Sequence, residues 1–179
     1  MSSQLFNGPE VSLPEMLDAR EQRQATQLAF LKKEPKQALL LATMNIPGPV
    51  KNSPELVQLF HQVSSVIETS LQDVKSSANL FRNEKTGLEY YLLVPIAPLE
   101  LKKRMIEIEE QHPLGRLFDL DVLYIENGEL IGLSRQTNGL PRRRCFVCEG
   151  DAKECGRARK HTIAEMQAKI IEITQQAKV

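Results

Sequence analysis

Tryptophan is absent from this chain, and its 179 residues hold only six phenylalanines and three tyrosines. A surface built to stack nucleobases needs aromatic rings and a basic field. The rings are scarce and the field is missing, because lysine plus arginine and aspartate plus glutamate both number 23. Nucleic acid and acidic lipid are therefore not expected as partners, and any anionic ligand has to be gripped by a local cluster of cations. No apolar stretch approaches the roughly 20 residues of a membrane-spanning helix. Residues 1–10 have neither the basic start nor the apolar run of a secretory signal, so a cytoplasmic protein without a membrane partner is expected. The three cysteines are clustered and odd in number, which argues against a disulfide framework and for reduced thiols. At this length one buried core is comfortable and two half-size cores would be marginal, so 1–179 is read as a single domain.

What is present organises into alternating elements. Ser12 and Glu15 have the spacing of a capping box, Pro14 suits a first helical turn and Pro35 stops the helix, predicting a helix to about Lys33. At 100° per residue Leu13, Leu17, Leu28 and Leu31 share a stripe with Arg20, Gln24 and Gln27, so Arg20 is expected to point inward with Arg23 nearby. An inward arginine needs a partner: a structural carboxylate or an anionic ligand. Residues 37–45 read as a buried strand, and the Pro47-Gly48-Pro49 loop leads to Lys51. Ser53 and Pro54 open a scaffold helix, whose His61 falls on the wet side. Strands are expected at 78–82 and 88–96, joined through Lys85-Thr86-Gly87 as a hairpin. Residues 98–111 favour a helix with Glu109 bordering its inward face and Glu107 opposed, although the alternation at 106–109 also permits a strand. Residues 117–125 form the clearest strand, which Asn127-Gly128 turns back through 129–134. Thr162 and Glu165 repeat the capping box before a C-terminal helix striped by Ile163, Met166, Ile170, Ile173 and Ala177, expected to dock on the core. The sum is an α+β domain with a mixed or largely antiparallel sheet flanked by helices, plus a Cys/Arg-rich loop at 141–161.

Two constellations could carry chemistry. Along a strand alternate residues share a face, so Asp119 and Asp121 project together, about 6.6 Å apart from the strand rise. Such a pair can grip the divalent cations of phosphoryl-transfer sites, which lie about 3.5 to 4 Å apart. Gly115 ahead of the strand is similar to the loop glycine of the nucleotidyltransferase superfamily, with Arg116 where a serine is usual. Two aspartates on the wet face of an edge hairpin are the bland alternative. Arg116, with Arg20 and Arg23, adds planar donors suited to phosphate oxygens. The second constellation is Cys145-x2-Cys148-x6-Cys155-x5-His161, the right number and type of donors for a tetrahedral zinc site that would be structural. Its alternative is a set of small reduced side chains packing a loop. Arg142, Arg143, Arg144, Arg157, Arg159 and Lys160 surround it, read either as a solvated patch or as a site for phosphates or an acidic carrier protein.

The run His112-Pro113-Leu114-Gly115-Arg116-Leu117-Phe118-Asp119-Leu120-Asp121-Val122, followed by Leu140-Pro141-Arg142-Arg143-Arg144-Cys145, Cys148, Cys155, Arg157 and His161, resembles the apo-citrate lyase phosphoribosyl-dephospho-CoA transferase family. The Arg20–Arg23 segment and the Pro47–Lys51 loop resemble it too. The resemblance implies transfer of the prosthetic group from triphosphoribosyl-dephospho-CoA to a serine of the acyl carrier (gamma) subunit of citrate lyase, with pyrophosphate released. Magnesium on Asp119 and Asp121 is then expected, with Arg20, Arg23, Lys51, Gly115, Arg116, Arg142 and Arg143 around the donor. Glu109 is the nominated base and His112 its competitor. A zinc-containing nucleic-acid-binding module and a noncatalytic carrier assembly factor are the rival readings.

Overall fold

The computed structural model describes residues 4–177; residues 1–3 and 178–179, the ends of the expected domain span, lie outside the described residues. The expected capping boxes are both present. The Ser12 side chain accepts the Glu15 amide while Glu15 returns to Ser12, opening α1 (Leu13–Lys33). Thr162 and Glu165 do the same for α5 (Ile163–Gln176). Between them lie β1 (Ala38–Met44), α2 (Pro54–Ser70), β2 (Ala78–Glu84), β3 (Gly87–Val94), α3 (Pro98–Gln111), β4 (Phe118–Glu126), β5 (Glu129–Gly132) and the short α4 (Ala152–Arg157). The ambiguous 106–109 stretch is helical, since Leu101, Met105 and Ile108 bury one face of α3. Asn127 and Gly128 both take positive φ, as a two-residue hairpin of this kind demands. The 141–161 segment, expected as loop, contains α4, capped by the Asp151 side chain on the Glu154 amide.

The strands form one sheet in the order β2-β3-β1-β4-β5, with β1 at its centre. Every pairing is antiparallel, so the mixed alternative is excluded among the described residues. One face carries Leu40, Ala42, Tyr90, Leu92, Leu120 and Val122, packed under α2 and α3 through Phe60, Val63, Met105 and Ile108. The other face is covered only at one end, where Leu31 and Phe30 of α1 meet Leu39, Leu41, Tyr91 and Leu93. The stripe expected along α1 is not buried as a whole. Leu13 is 73% and Leu17 49% exposed, and Arg20 lies on the surface rather than inward. The helix leans on the sheet with its C-terminal half, and its first turns reach the β2–β3 turn, where Lys85 pairs with Glu15 at 2.8 Å. That half-uncovered face is what leaves room for a site. The C-terminal helix docks as expected through Ile170 and Thr174, whereas Ile163 at its start stays 49% exposed.

Candidate active site

Residues opposed across an antiparallel ladder point to the same face. The register sets Thr43 between Glu89 and Asp119, and Leu41 between Tyr91 and Asp121. Both aspartates therefore project from β4 onto the half-covered face, beside one another. They form the floor of a cleft of about 960 Å³, walled by Arg116, Ser134 to Gln136, Arg142 to Val147 and the start of α5. The walls mix guanidinium groups with Leu133, Phe146, Val147, Ile163 and Met166.

Electrostatics on the floor follows from this placement. Although both carboxyls open onto the cleft, Asp121 being exposed and Asp119 partly so, the surrounding protein pushes them above the usual range, by loss of solvation first and then by their acidic neighbours Glu109 and, for Asp119, Asp121. Nearby cations pull the other way. Arg143 donates from Nη1 to Asp119 Oδ1 at 2.6 Å. Its other nitrogen reaches the carbonyls of Gly115 and Arg116 at 3.3 and 3.4 Å, so one guanidinium ties the cleft wall to the turn before β4. Arg116 in turn donates to the Arg144 carbonyl. Its guanidinium is shifted down by burial and by the Arg143 charge, which marks a crowding of cations suited to an anion.

The flank of β4 on the β5 side is bare at Leu120, because β5 pairs only with residues 123–126. Two side chains of α3 close it. Glu109 Oε1 accepts the Leu120 amide at 2.9 Å, and Lys102 Nζ donates to the Leu120 carbonyl at 2.8 Å. Glu109 and Lys102 are 3% and 4% exposed. Burial lowers the ammonium of Lys102, while Glu109 and Asp121 act to hold its proton on. The second oxygen of Glu109 takes Arg135 Nη2 at 2.9 Å, so both oxygens of the expected base are committed to structural donors. His112, its competitor, accepts the Leu114 amide on Nδ1 at 3.1 Å and shapes the turn. Lys102 and Arg135 were not anticipated from the sequence. A lysine seven residues before Glu109 shares its helix face, and that i,i+7 pair was the available signal.

The other expected site residues divide by position. Gly115 supports the floor from below: a Cβ there would come within 2.4 Å of the Ile108 carbonyl oxygen and 2.6 Å of that of Glu109. Arg142 stands at the rim, with Asp151 at 3.8 Å. Arg23 takes the structural option, donating from Nε to Glu89 at 2.8 Å, though its charge still acts on Asp121. Lys51 donates to the Ile46 carbonyl and is shifted down by burial and by the neighbouring Arg20 charge. Arg20, Arg23, Lys51 and Gly115 do not line the cleft. Cys145, Cys148, Cys155 and His161 come together, their ligand atoms all within 4.8 Å of one another. Among the described residues no helix is long and apolar enough to cross a membrane.

The family model described as apo-citrate lyase phosphoribosyl-dephospho-CoA transferase matches residues 11–177. A probable apo-citrate lyase phosphoribosyl-dephospho-CoA transferase of Streptococcus pyogenes serotype M18 is 47% identical over 165 residues, covering 92% of this chain and 86% of the relative. A relative of the same description from Vibrio cholerae serotype O1 is 39% identical over 168 residues, 92% of each chain. The apo-citrate lyase phosphoribosyl-dephospho-CoA transferase of Citrobacter koseri is 38% identical over 160 residues, 87% of this chain and 84% of the relative. With the paired aspartates, the arginine wall and these matches running through nearly the whole sequence, the chain belongs to the apo-citrate lyase phosphoribosyl-dephospho-CoA transferase family.

Proposed function

We propose that this chain transfers the phosphoribosyl-dephospho-CoA group from triphosphoribosyl-dephospho-CoA to a serine hydroxyl of the acyl carrier (gamma) subunit of citrate lyase, by nucleotidyltransferase-type phosphoryl transfer. The observation that carries this reading is the adjacent projection of Asp119 and Asp121 into a cleft walled by arginines. The serine oxygen gives up its proton to solvent and forms a bond to the phosphorus next to the ribose, the bond from that phosphorus to the oxygen bridging to the next phosphate breaks, and pyrophosphate leaves with the electron pair.

The residues present suit a divalent cation: two neighbouring carboxylates offer hard oxygen donors, and their raised affinity for protons is relieved by any positive charge placed between them. Asp119 and Asp121 would hold magnesium, which when bound polarises the phosphoryl oxygens and offsets the charge of the leaving group. Arg143 and Arg116 bind and orient the triphosphate, and their planar forks fix its direction relative to the two acids. Arg142 at the rim meets the chain of phosphates or the carrier's acidic surface. The apolar side of the cleft, Phe146, Val147 and Met166, suits the adenine and pantetheine parts of the donor. Glu109 works through position: with Lys102 it holds Leu120 and so sets the direction of the acids on either side. Arg20 and Arg23 on α1 form with Lys51 a second basic zone outside the cleft, where a long donor or the carrier extends past it.

The test is direct. The chain is incubated with apo carrier, magnesium and the triphosphoribosyl donor, and the carrier is weighed by mass spectrometry while pyrophosphate is assayed. The expected result is a carrier mass raised by one prosthetic group with stoichiometric pyrophosphate. An unchanged carrier would overturn the enzyme reading and leave the assembly-factor role. In the same assay, chelating magnesium is expected to stop transfer.

A further inference from the structure

We infer that Cys145, Cys148, Cys155 and His161 bind one zinc ion in a closed tetrahedral site, and that this ion pins the arginine segment 142–144 against the floor of the cleft. The four ligands come from three places in the chain: the turn after Arg144, the end of α4, and the residue just before the cap of α5. Their donor atoms nevertheless lie within 4.8 Å of one another.

Three local features point to a metal rather than to packed thiols. The turn is shaped around sulfur: the Val147 amide donates to Cys145 Sγ at 3.5 Å, and Cys145 and Gly150 close it by a 2.6 Å backbone bond. Glu149 takes positive φ within this tight turn, its amide donating to the Cys145 carbonyl. His161 Nε2 is buried with no hydrogen-bond partner among the described residues, an orphan that a coordinated ion would satisfy. A disulfide between Cys148 and Cys155, whose sulfurs stand 3.5 Å apart, would employ two groups and strand Cys145 and His161. Three soft thiolates and one imidazole select zinc, and four protein ligands leave no position for water or substrate. On binding, three thiol protons pass to solvent and the centre carries a net charge of about −1. The cation at Lys160, beside Cys148, and that of Arg116, near Cys145, answer that charge, which gives part of the basic patch a second use.

Beyond the Arg143 and Arg116 bonds to the floor and the packing of Phe146 on the core, the segment has little regular structure to order it. Residues 141–161 hold a six-residue helix and one isolated bridge between Arg144 and Asp151. So small an apolar content does not fix a loop of this length without a cross-link. Arg143 sits two residues before the first ligand and makes the 2.6 Å contact with Asp119. The metal site stands apart from the transferase reading; only its effect on transfer rests on that reading.

The experiment uses the full untagged chain, purified without chelators. Elemental analysis is expected to find about one equivalent of zinc, and cobalt(II) replacement to give thiolate charge-transfer bands with tetrahedral d–d absorption. Cys148→Ala should lose the ion, while His161→Cys, which keeps four ligands, should retain it and guards against a simple folding failure. Protein that is folded yet zinc-free as purified, with three freely reactive thiols, or a mass short by two hydrogens, would overturn the site. Removing zinc is expected to expose 141–161 to proteolysis, and to lower transfer at least tenfold when magnesium is restored. A zinc-free protein with unchanged cleavage and rate would overturn the pinning role.

Discussion

At the scale of single residues the site is a matter of who is already occupied. Asp119 shares its charge with Arg143 at 2.6 Å, whereas Asp121 feels Lys102, Arg23 and Arg143 only through their fields. Replacing either acid by asparagine removes charge without changing volume. Asp119→Asn and Asp121→Asn are each expected to lower transfer by at least about 100-fold, the scale of losing one preorganised electrostatic group. Their thermal midpoints should stay near that of the parent; full activity in both would take the pair out of the mechanism. Gly115 is constrained differently. With an added Cβ at 2.4 Å from a helix carbonyl, Gly115→Ala forces the turn off α3 and is expected to cost about 2 kcal/mol or more, read by chemical denaturation. The spacing of Asp-x-Asp was enough to place both acids on one face, because strand alternation is a local rule. The occupants of Glu109 were not readable, since Leu120 and Arg135 reach it from other elements.

At the scale of elements, α3 serves as a substitute strand. Glu109 gives Leu120 the acceptor, and Lys102 the donor, that β5 is too short to supply. Glu109→Ala would leave the buried Leu120 amide without its acceptor and Arg135 with Glu110 alone, and is expected to destabilise by about 2 kcal/mol or more. Glu109→Gln keeps an acceptor for Leu120. It should lower kcat by less than about tenfold with the pH–rate profile unshifted, and loss of the acid limb would instead make Glu109 the base. The start of α1 offers a pH test. Lys85 and the Ser12 cap hold Glu15 at about 2 against an ordinary 4.5. A depressed carboxyl stabilises the fold above its unfolded pKa, so this cap's contribution fades as pH falls from about 4.5 towards about 2. An NMR titration of the Glu15 carboxyl carbon should show that low midpoint; a midpoint near 4.5 would mean the pair does not persist in solution. Both capping boxes were legible, because four consecutive residues suffice to write one. The burial of α1 was not: periodicity tells which residues share a face, but Leu13 and Leu17 have no sheet beneath them to meet.

For the whole molecule, the strand order β2-β3-β1-β4-β5 could not be taken from the chain, because each pairing beyond the hairpins joins segments far apart in sequence. The order nevertheless decides the site, since it leaves β4 next to the centre with one face under α3 and the other under the arginine wall. The net charge of zero hides an uneven distribution, with Arg116, Arg142, Arg143 and Arg144 on one side of the cleft. On the proposed reading, encounter with the carrier through that side should be salt-sensitive. The kcat/KM for carrier is expected to fall severalfold between low salt and about 0.5 M, where screening shortens to a few ångströms. The KM for a donor bound inside the cleft, as proposed, should change less. A carrier rate indifferent to salt would place docking elsewhere.

The central place of β1 has a consequence for how the protein comes into being. Residues 38–44 leave the ribosome early, yet their two hydrogen-bonding neighbours are residues 87–94 and 118–126. Until those have been synthesised, the nascent chain carries an apolar ribbon, Ala38 to Leu41, with both flanks open to other chains. Sheets closed by such distant partners assemble slowly and late. Chains cut short before β4 should therefore be insoluble, and yield in the cell should depend on holdase chaperones more than the modest size of the domain suggests.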